Sequence, residues 1–325
     1  MLWFRRKTER SSCFDAFVVR VAAVASFAAL LSLGYAHAAA VDQRHYETPE
    51  EAVKALITAV NANDTKELVA IFGPAGKILV FSGDKVADEA GRERFAKAFE
   101  EMNQLESKDE KRVILHVGSE DWPFPVPIVK HGNSWSFNTD EGKEEILNRR
   151  IGKNELDAAQ VCLAVVDAQA EYAAKDRDGD GVLEYAQKLV SEKDQKDGLY
   201  WYAKEGEEPS PLGPLAAKAG AEGYSGKHPN GKPEPYRGYF YRILKEQGKN
   251  ALGGARTYLV KDNMIGGFAV VAYPAAYGSS GIMTFTVNQD GVVYEKDLGN
   301  KTAQIARGIK SFDPDQSWHK VEVSP

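Results

Sequence analysis

The spacing of apolar residues changes along the chain from a helical period to the alternation of strands. In residues 48–60 apolar side chains recur every three to four positions, and Thr48 followed by Pro49 is a typical helix start. Similar apolar faces occupy residues 65–72 and 86–105. Strand-like stretches follow at 112–117, 127–130 and 134–137, with a turn at 131–133 between the last two. The pattern predicts helices followed by an antiparallel sheet.

Helices that precede a curved antiparallel sheet are typical of an α+β fold. We predict that residues 39–140 form a cone-like α+β domain similar to the nuclear transport factor 2-like fold. That fold often holds a pocket between its sheet and its helices, although a fold alone does not define a function.

The second half repeats the order of helix and then sheet. Residues 140–175 carry an apolar stripe that predicts a long helix, with a weak point at Gly152. Residues 197–238 are rich in Pro and Gly and predict a long loop held to the surface by aromatic anchors. Strands are predicted at 239–244, 257–260, 267–274, 283–288 and 292–295. Residues 141–325 thus resemble the globular head of a type IV pilin, but a fibre subunit is not expected because the helix is internal.

The N-terminus has the pattern of a secretory signal peptide. Five basic residues precede an apolar run at 21–33, and Ala36-His37-Ala38 is a small-residue cleavage motif. The apolar run is shorter than the roughly 20 residues that span a bilayer. We therefore predict cleavage after Ala38, no membrane insertion afterwards, and a periplasmic or secreted protein. The alternative is an uncleaved N-terminal anchor.

The net charge disfavours some classes of partner, and the position of the cysteine indicates its role. The formal net charge is −6, which disfavours nucleic acid and anionic membrane surfaces as partners. Cys162 lies in an apolar helical pattern and is predicted to be a buried, unreactive thiol. The aromatic residues at 200–202, with Tyr236, Tyr239 and Tyr241, could stack on sugars of a cell-wall glycan, but packing in strands and hairpins is the favoured interpretation because aromatic residues are common in strands. The expected partner is an unknown envelope protein or glycan.

An acidic loop at 176–181 is the most pointed chemical motif. Carboxylates at alternate positions followed by Gly allow a loop to wrap oxygen ligands around Ca²⁺. In the EF-hand pattern, Gln187 stands where a bidentate Glu is expected, which predicts weak affinity. The alternative is a solvated turn that ends a helix. The predicted ligands of a structural calcium ion are Asp176, Asp178, Asp180, Val182 and Glu184.

No catalytic constellation is recognisable in the sequence. His116 and His131, with Asp121 and Trp122, could line a pocket of the first domain, but a lone strand histidine is more often structural. The histidines lack the spacing of a zinc protease motif, and the Gly-Ser segments lack a matching partner order.

Several distinctive runs are spread along the chain: DWPFP (121–125), NRRIGKNE (148–155), the loop at 176, DGLYW (197–201), PSPLGPL (209–215), IGGF (265–268) and VYEKDLG (293–299). In these runs the chain resembles a bacterial family catalogued as domain of unknown function 2950. The resemblance covers nearly all of the chain after residue 38 and implies an exported protein of unassigned activity. We therefore expect a non-enzymatic cell-envelope binding or scaffold module; the alternative is a hydrolase that acts on an envelope polymer through the first domain's pocket.

Overall fold

Buried and half-exposed residues alternate along the central strand of the first sheet, so one face of the sheet packs against a core. The structure, a computed structural model, describes residues 42–177, 179–225 and 233–322. Val113, Leu115 and Val117 point into a core, while the residues between them are half-exposed. Helix α1 buries its apolar face against the same core, where Leu56 is 2% exposed. Strand order in this antiparallel sheet is β1-β2-β4-β5, with β3 paired to β2.

The elements of this half are α1 (Pro49–Asn61), α2 (Thr65–Phe72), α3 (Lys77–Val80), α4 (Lys85–Glu101), β1 (Asn103–Asp109), β2 (Arg112–Val117), β3 (Trp122–Pro123), β4 (Ile128–His131) and β5 (Ser134–Phe137). Asp84 caps the N-terminus of α4 by accepting a hydrogen bond from the backbone N–H of Ala87.

The second sheet is built around a strand that is buried on both faces. Strand β11 (Ala269–Pro274) has no exposed residue, so its sequence is continuously apolar rather than alternating. The antiparallel order is β14-β13-β12-β11-β6. The other elements are α5 (Thr139–Ala173), α6 (Gly213–Ala221), β6 (Tyr239–Leu244), β7 (Glu246–Gln247), β8 (Arg256–Thr257), β9 (Leu259–Val260), β10 (Asn263–Met264), β12 (Met283–Asn288), β13 (Tyr294–Asp297), α7 (Thr302–Gly308) and β14 (His319–Lys320).

Helix α5 belongs to both halves of the structure. Near its start, Ile146 packs against the core of the first sheet. Further along, Ala158, Cys162 and Val165 are buried in the core of the second. Its 35 residues form one continuous helix, and the helix is not interrupted at Gly152, where the sequence predicted a weak point.

Two local predictions need correction. The helix predicted over 86–105 ends at Glu101, and β1 follows as a polar edge strand without the alternation that would have revealed it. The segment predicted as a long loop over 197–238 contains α6, which Pro214 helps to start, and Leu199 anchors the segment at 0% exposure.

Helices and antiparallel sheets together make the fold α+β, as predicted. The predicted signal peptide, residues 1–38, lies outside the described residues. Within the described ranges, none of the helices combines the length and the apolar character that crossing a bilayer requires.

Candidate binding cavity

A cavity of about 710 Å³ lies between the first four helices, the first sheet and α5. Helices α4 and α5 form two of its walls, and β2 and β3 contribute from the sheet. Glu222, Tyr224 and Arg237 approach from the second half. Its volume is within the range of about 300–1,000 Å³ typical of small-molecule sites. The cavity is therefore large enough for a ligand rather than for a few water molecules.

Aromatic side chains form much of the cavity wall. Phe124 stands at their centre, with ring centroids of Phe95 at 5.5 Å, Trp122 at 6.0 Å and Phe72 at 6.2 Å. The three contacts are tilted or edge-to-face, the arrangements that aromatic pairs prefer. All four rings line the cavity, so this wall is apolar and rigid.

Several of the residues by which helix α4 lines the cavity are small. Ala87, Ala90, Gly91 and Ala98 line the space, yet no residue of this helix is buried. A helix that covers a core normally fills it with larger apolar side chains. Here the short side chains stop before they meet the opposite wall.

Asp84 ties the start of α4 to the second half of the structure. It is 1% exposed, and its Oδ2 accepts hydrogen bonds from the Tyr224 hydroxyl at 2.8 Å and from the Gly238 backbone N–H at 2.7 Å. Burial raises the pKa of Tyr224, and the negative charge of Asp84 raises it further. Tyr224 therefore stays a neutral donor to this carboxylate.

A second carboxylate, Asp88, lines the cavity near Arg150. It accepts a hydrogen bond from the Ser82 backbone N–H at 3.0 Å. Burial raises the pKa of Asp88, although the Ser82 hydrogen bonds and the positive charges of Arg150 and Arg92 act in the opposite direction. Arg150 donates to the carbonyls of Ile78 at 2.9 Å and Leu79 at 2.6 Å.

Positively charged side chains outnumber carboxylates around the cavity. Arg149 pairs with Glu145, Lys153 with Asp157, and Arg237 with Glu222 and Asp157. Within the described ranges, no carboxylate lies within ion-pair distance of the remaining lining cations, which are Arg92, Arg94 and Arg150.

The polar groups of the lining are few. Among the described lining residues there is no histidine or cysteine, and Ser82 contacts the backbone of Asp84 and the carboxylate of Asp88. An apolar chamber with cations at its wall is suited to binding.

The acidic loop is folded around its own carboxylates. Asp176 accepts hydrogen bonds from the backbone N–H groups of Gly179 at 2.7 Å and Gly181 at 2.9 Å. Asp180 accepts from Val182, and Glu184 accepts from the backbone N–H of Met264 at 2.8 Å. Asp178 lies outside the described residues. The loop is thereby fastened to β10.

Gln187 does not face this loop. Its amide nitrogen donates to the carbonyl of Asp262, and its oxygen accepts from Lys245 at 2.8 Å. The described residues contain no group of three or more His, Cys, Asp or Glu side chains placed to hold a metal ion. Asn263 contacts Asp180 at 2.5 Å and is a neighbour of the loop that the sequence did not suggest.

Of the four residues considered for a first-domain pocket, the structure places Trp122 in the cavity. His116 lies on the opposite face of β2 from Val117, held between Glu106 at 2.9 Å and Asp121 at 3.0 Å. His131 is exposed at the end of β4. Strand alternation thus separates His116 and Asp121 from the cavity.

Cys162 is fully buried in the core of the second sheet. Burial raises the pKa of its thiol to about 12. A thiol in this setting has almost no thiolate at neutral pH, as expected for a structural residue.

The family of this chain follows from comparison with known proteins. The chain belongs to the family described as "Protein of unknown function (DUF2950)", which matches residues 43–321. No curated protein and no solved structure matches it significantly. The match includes every element that lines the cavity.

Sequence reasoning missed the cavity's cations. Arg149 and Arg150 stand in the run 148–155 that carries the family resemblance, and Arg92 and Arg94 lie in the helix predicted over 86–105, where only the apolar residues were considered. A signal was present in α4, where Ala87, Ala90, Gly91 and Ala98 occupy an inward stripe with no large apolar residue except Phe95.

Proposed function

We propose that this chain is a cell-envelope binding protein without catalytic activity and that its site is the cavity between α4 and α5. The observation that carries this proposal is an apolar chamber of about 710 Å³ that the protein's own side chains leave open. An apolar lining with a few polar groups is typical of sites that bind small molecules. A small, largely apolar molecule fits this lining best.

Export, compartment and domain limits belong to the same proposal. The pattern of residues 1–38 supports a cleaved signal peptide and a periplasmic or secreted location. Helices over a curved antiparallel sheet support a nuclear transport factor 2-like domain over 39–140, and α5 with the second sheet supports a pilin-head-like domain over 141–325.

Native mass spectrometry of protein purified gently from its own host tests the binding function. We expect wild-type protein to carry added non-covalent mass that Ala90→Trp abolishes, because the indole fills the chamber. Ala217→Trp, at an exposed position of α6, is the matched control and should retain the added mass. Wild-type protein that always has the mass of the bare chain would contradict the proposal.

A hydrolase that acts on an envelope polymer is the second candidate. Asp88 favours it, because a cavity carboxylate with a raised pKa is a candidate general acid or base. Asp88→Asn separates the two functions. A binding protein keeps its ligand in this variant, whereas a hydrolase loses turnover of envelope polysaccharide by several orders of magnitude.

An envelope glycan or protein remains a proposed partner of the outer surface. Tyr202 is 79% exposed and is available for stacking, whereas Trp201 is buried and packs in the core. A glycan array with wild type and Tyr202→Ala tests this surface. Equal binding by the two proteins would exclude Tyr202 as a contact.

We also propose a weak structural calcium site in the acidic loop, with Asp176, Asp178, Asp180, Val182 and Glu184 as ligands. Each carboxylate oxygen can accept a second interaction besides the hydrogen bonds that fold the loop. Ca²⁺ at about 100 times its Kd would add roughly 2.7 kcal/mol to stability. Thermal unfolding in EDTA, Mg²⁺ and millimolar Ca²⁺ should show a Ca²⁺-specific rise that Asp178→Ala removes. Equal melting temperatures in all three conditions would contradict the calcium site and favour the alternative, a solvated turn that ends the helix.

A further inference from the structure

The cavity wall carries more positive than negative charge among the described residues. Arg92 and Arg94 come from α4 and Arg150 from α5, and none of the three has an ion-pair partner within the described ranges. Glu222, one of two carboxylate residues in the described lining, is engaged by Arg237. The other, Asp88, faces the positive charges of Arg150 and Arg92, so a single carboxylate is set against these two guanidinium groups and Arg94. This surplus lies in a chain whose formal net charge is −6, so the whole molecule does not explain it.

Hydrogen bonds to neutral groups leave this charge in place. Arg150 donates to two backbone carbonyls and approaches the hydroxyl of Ser279 at 3.4 Å. Arg92 donates to the side-chain oxygen of Asn63 at 2.6 Å. Arg94 has no such partner in the described part of the chain. Each guanidinium has five N–H donors, so donors remain for an incoming anion.

The apolar wall continues beside these cations. Helix α4 lines the cavity from Val86 to Ala98, and at about 1.5 Å per residue this stretch is about 18 Å long. Trp122, Phe95 and Phe124 cover the space next to it. The chamber is therefore elongated, apolar along its length and cationic at its wall.

We propose that the cavity takes an amphipathic anion, with an alkyl or acyl chain against the aromatic wall and a carboxylate or phosphate head group held by Arg94 and Arg150. This inference rests on the proposed binding function and names its ligand class. Guanidinium groups suit both head groups because they offer paired donors to two oxygens.

Isothermal titration of the purified protein, expressed from its full coding sequence, tests the head group with four probes of one chain length. These are decanoate, decyl phosphate, decanol and decyltrimethylammonium, each below its micellar concentration. We expect at least one anion to bind about tenfold more tightly than decanol, and the cation to bind most weakly. The ratio of decanoate to decyl phosphate distinguishes a fatty-acid source from a phospholipid-like one.

Single-residue variants test whether the preference for anions arises in the cavity. Arg94→Gln should weaken anion binding about tenfold and leave decanol binding unchanged, because Arg94 holds no other group in place. Lys97→Gln removes one charge from an exposed, non-lining position of the same helix and should change neither affinity. For Arg150→Met, thermal unfolding is measured alongside the titration. This is needed because Arg150 also donates to two carbonyls of α3, so the variant could lose stability as well as anion binding.

The outcomes separate this inference from the binding function. Decanol that binds as tightly as both anions, or equal anion affinity in wild type and Arg94→Gln, overturns the head-group assignment and leaves apolar binding intact. If folded wild-type protein binds none of the four probes, the proposed ligand class is wrong. Native mass spectrometry of protein purified from its own host then tests the binding function separately.

Discussion

Asp84 makes several stabilising contacts that the sequence around it does not predict. Its carboxylate caps α4 and receives the Tyr224 hydroxyl and the Gly238 N–H, all in a buried setting. Removing an acceptor from buried donors costs the desolvation of each donor, which is about 1–3 kcal/mol apiece.

We expect Asp84→Ala to lower the free energy of unfolding by about 3–5 kcal/mol. Asp64→Ala is the matched control, since Asp64 caps α2 at an exposed position and accepts only backbone N–H groups there. That cap should be worth about 1 kcal/mol. Denaturant unfolding measures both. Equal losses in the two variants would mean that the contacts to Tyr224 and Gly238 contribute nothing.

Cys162 should make stability depend on alkaline pH. Burial holds the pKa of the folded thiol at about 12, above its ordinary value of 9.0. The unfolded thiol therefore releases its proton first, and the free energy of unfolding falls as the pH rises from about 9 towards 12. Below pH 8 the thiol is neutral in both states and has no such effect.

Cys162→Ala removes this pH dependence. We expect the wild type to lose more stability than the variant between pH 8 and pH 10, measured by urea unfolding. A thiol reagent should label native Cys162 far more slowly than unfolded protein. Parallel pH profiles for wild type and variant would show that the thiol is not desolvated.

At the scale of elements, α5 contains two glycines with opposite roles. Gly142 is buried, and a Cβ added there would lie 2.3 Å from the carbonyl oxygen of Pro125. Gly152 is exposed, with no atom within 4 Å of an added Cβ. Helix α5 approaches the loop before β4 closely enough that only glycine fits at 142.

Gly142→Ala should destabilise the protein by about 1–3 kcal/mol, because overpacking outweighs the gain in helix propensity. Gly152→Ala should stabilise it by about 0.5–1 kcal/mol, the ordinary difference between the two residues in a helix. Thermal and urea unfolding measure the pair. Changes of the same sign in both variants would contradict the close approach at Pro125.

At the scale of the whole molecule, α5 joins two clusters of buried side chains. The stretch 150–155 contacts both sides, since Arg150 reaches Ile78 and Leu79 while Glu155 accepts the backbone N–H groups of Ile282 at 2.8 Å and Met283 at 2.9 Å. An unbroken helix shared by two cores transmits unfolding from one to the other.

We therefore expect both clusters to unfold together. Trp122 and Trp135 report on the first cluster and Trp201 on the second, so single-tryptophan variants should give coincident thermal midpoints. Glu155→Ala should lower both midpoints, whereas Glu144→Ala, exposed on the same helix, should leave them unchanged. Two separated transitions would show that residues 39–140 and 141–325 unfold as independent domains.

Periodicity was enough to predict most elements of this fold. The strands β5, β6 and β12 have the predicted bounds, α1 begins after its predicted cap Thr48, and α2 covers the predicted residues 65–72. These signals are local, because a cap or an apolar face is written in adjacent residues. The polar strand β1 escaped prediction because its pairing with β2, not its own pattern, makes it a strand.

The sequence by itself determined the α+β class, the family, and the inert setting of Cys162 in an apolar stripe. Tertiary structure decided the cavity, because it arises where small residues of α4 meet the aromatic wall and Arg150 of α5. It also turned His116 away from that space and directed Gln187 towards Asp262. Such placements depend on contacts between distant parts of the chain, and no local period encodes which side chains will share one space.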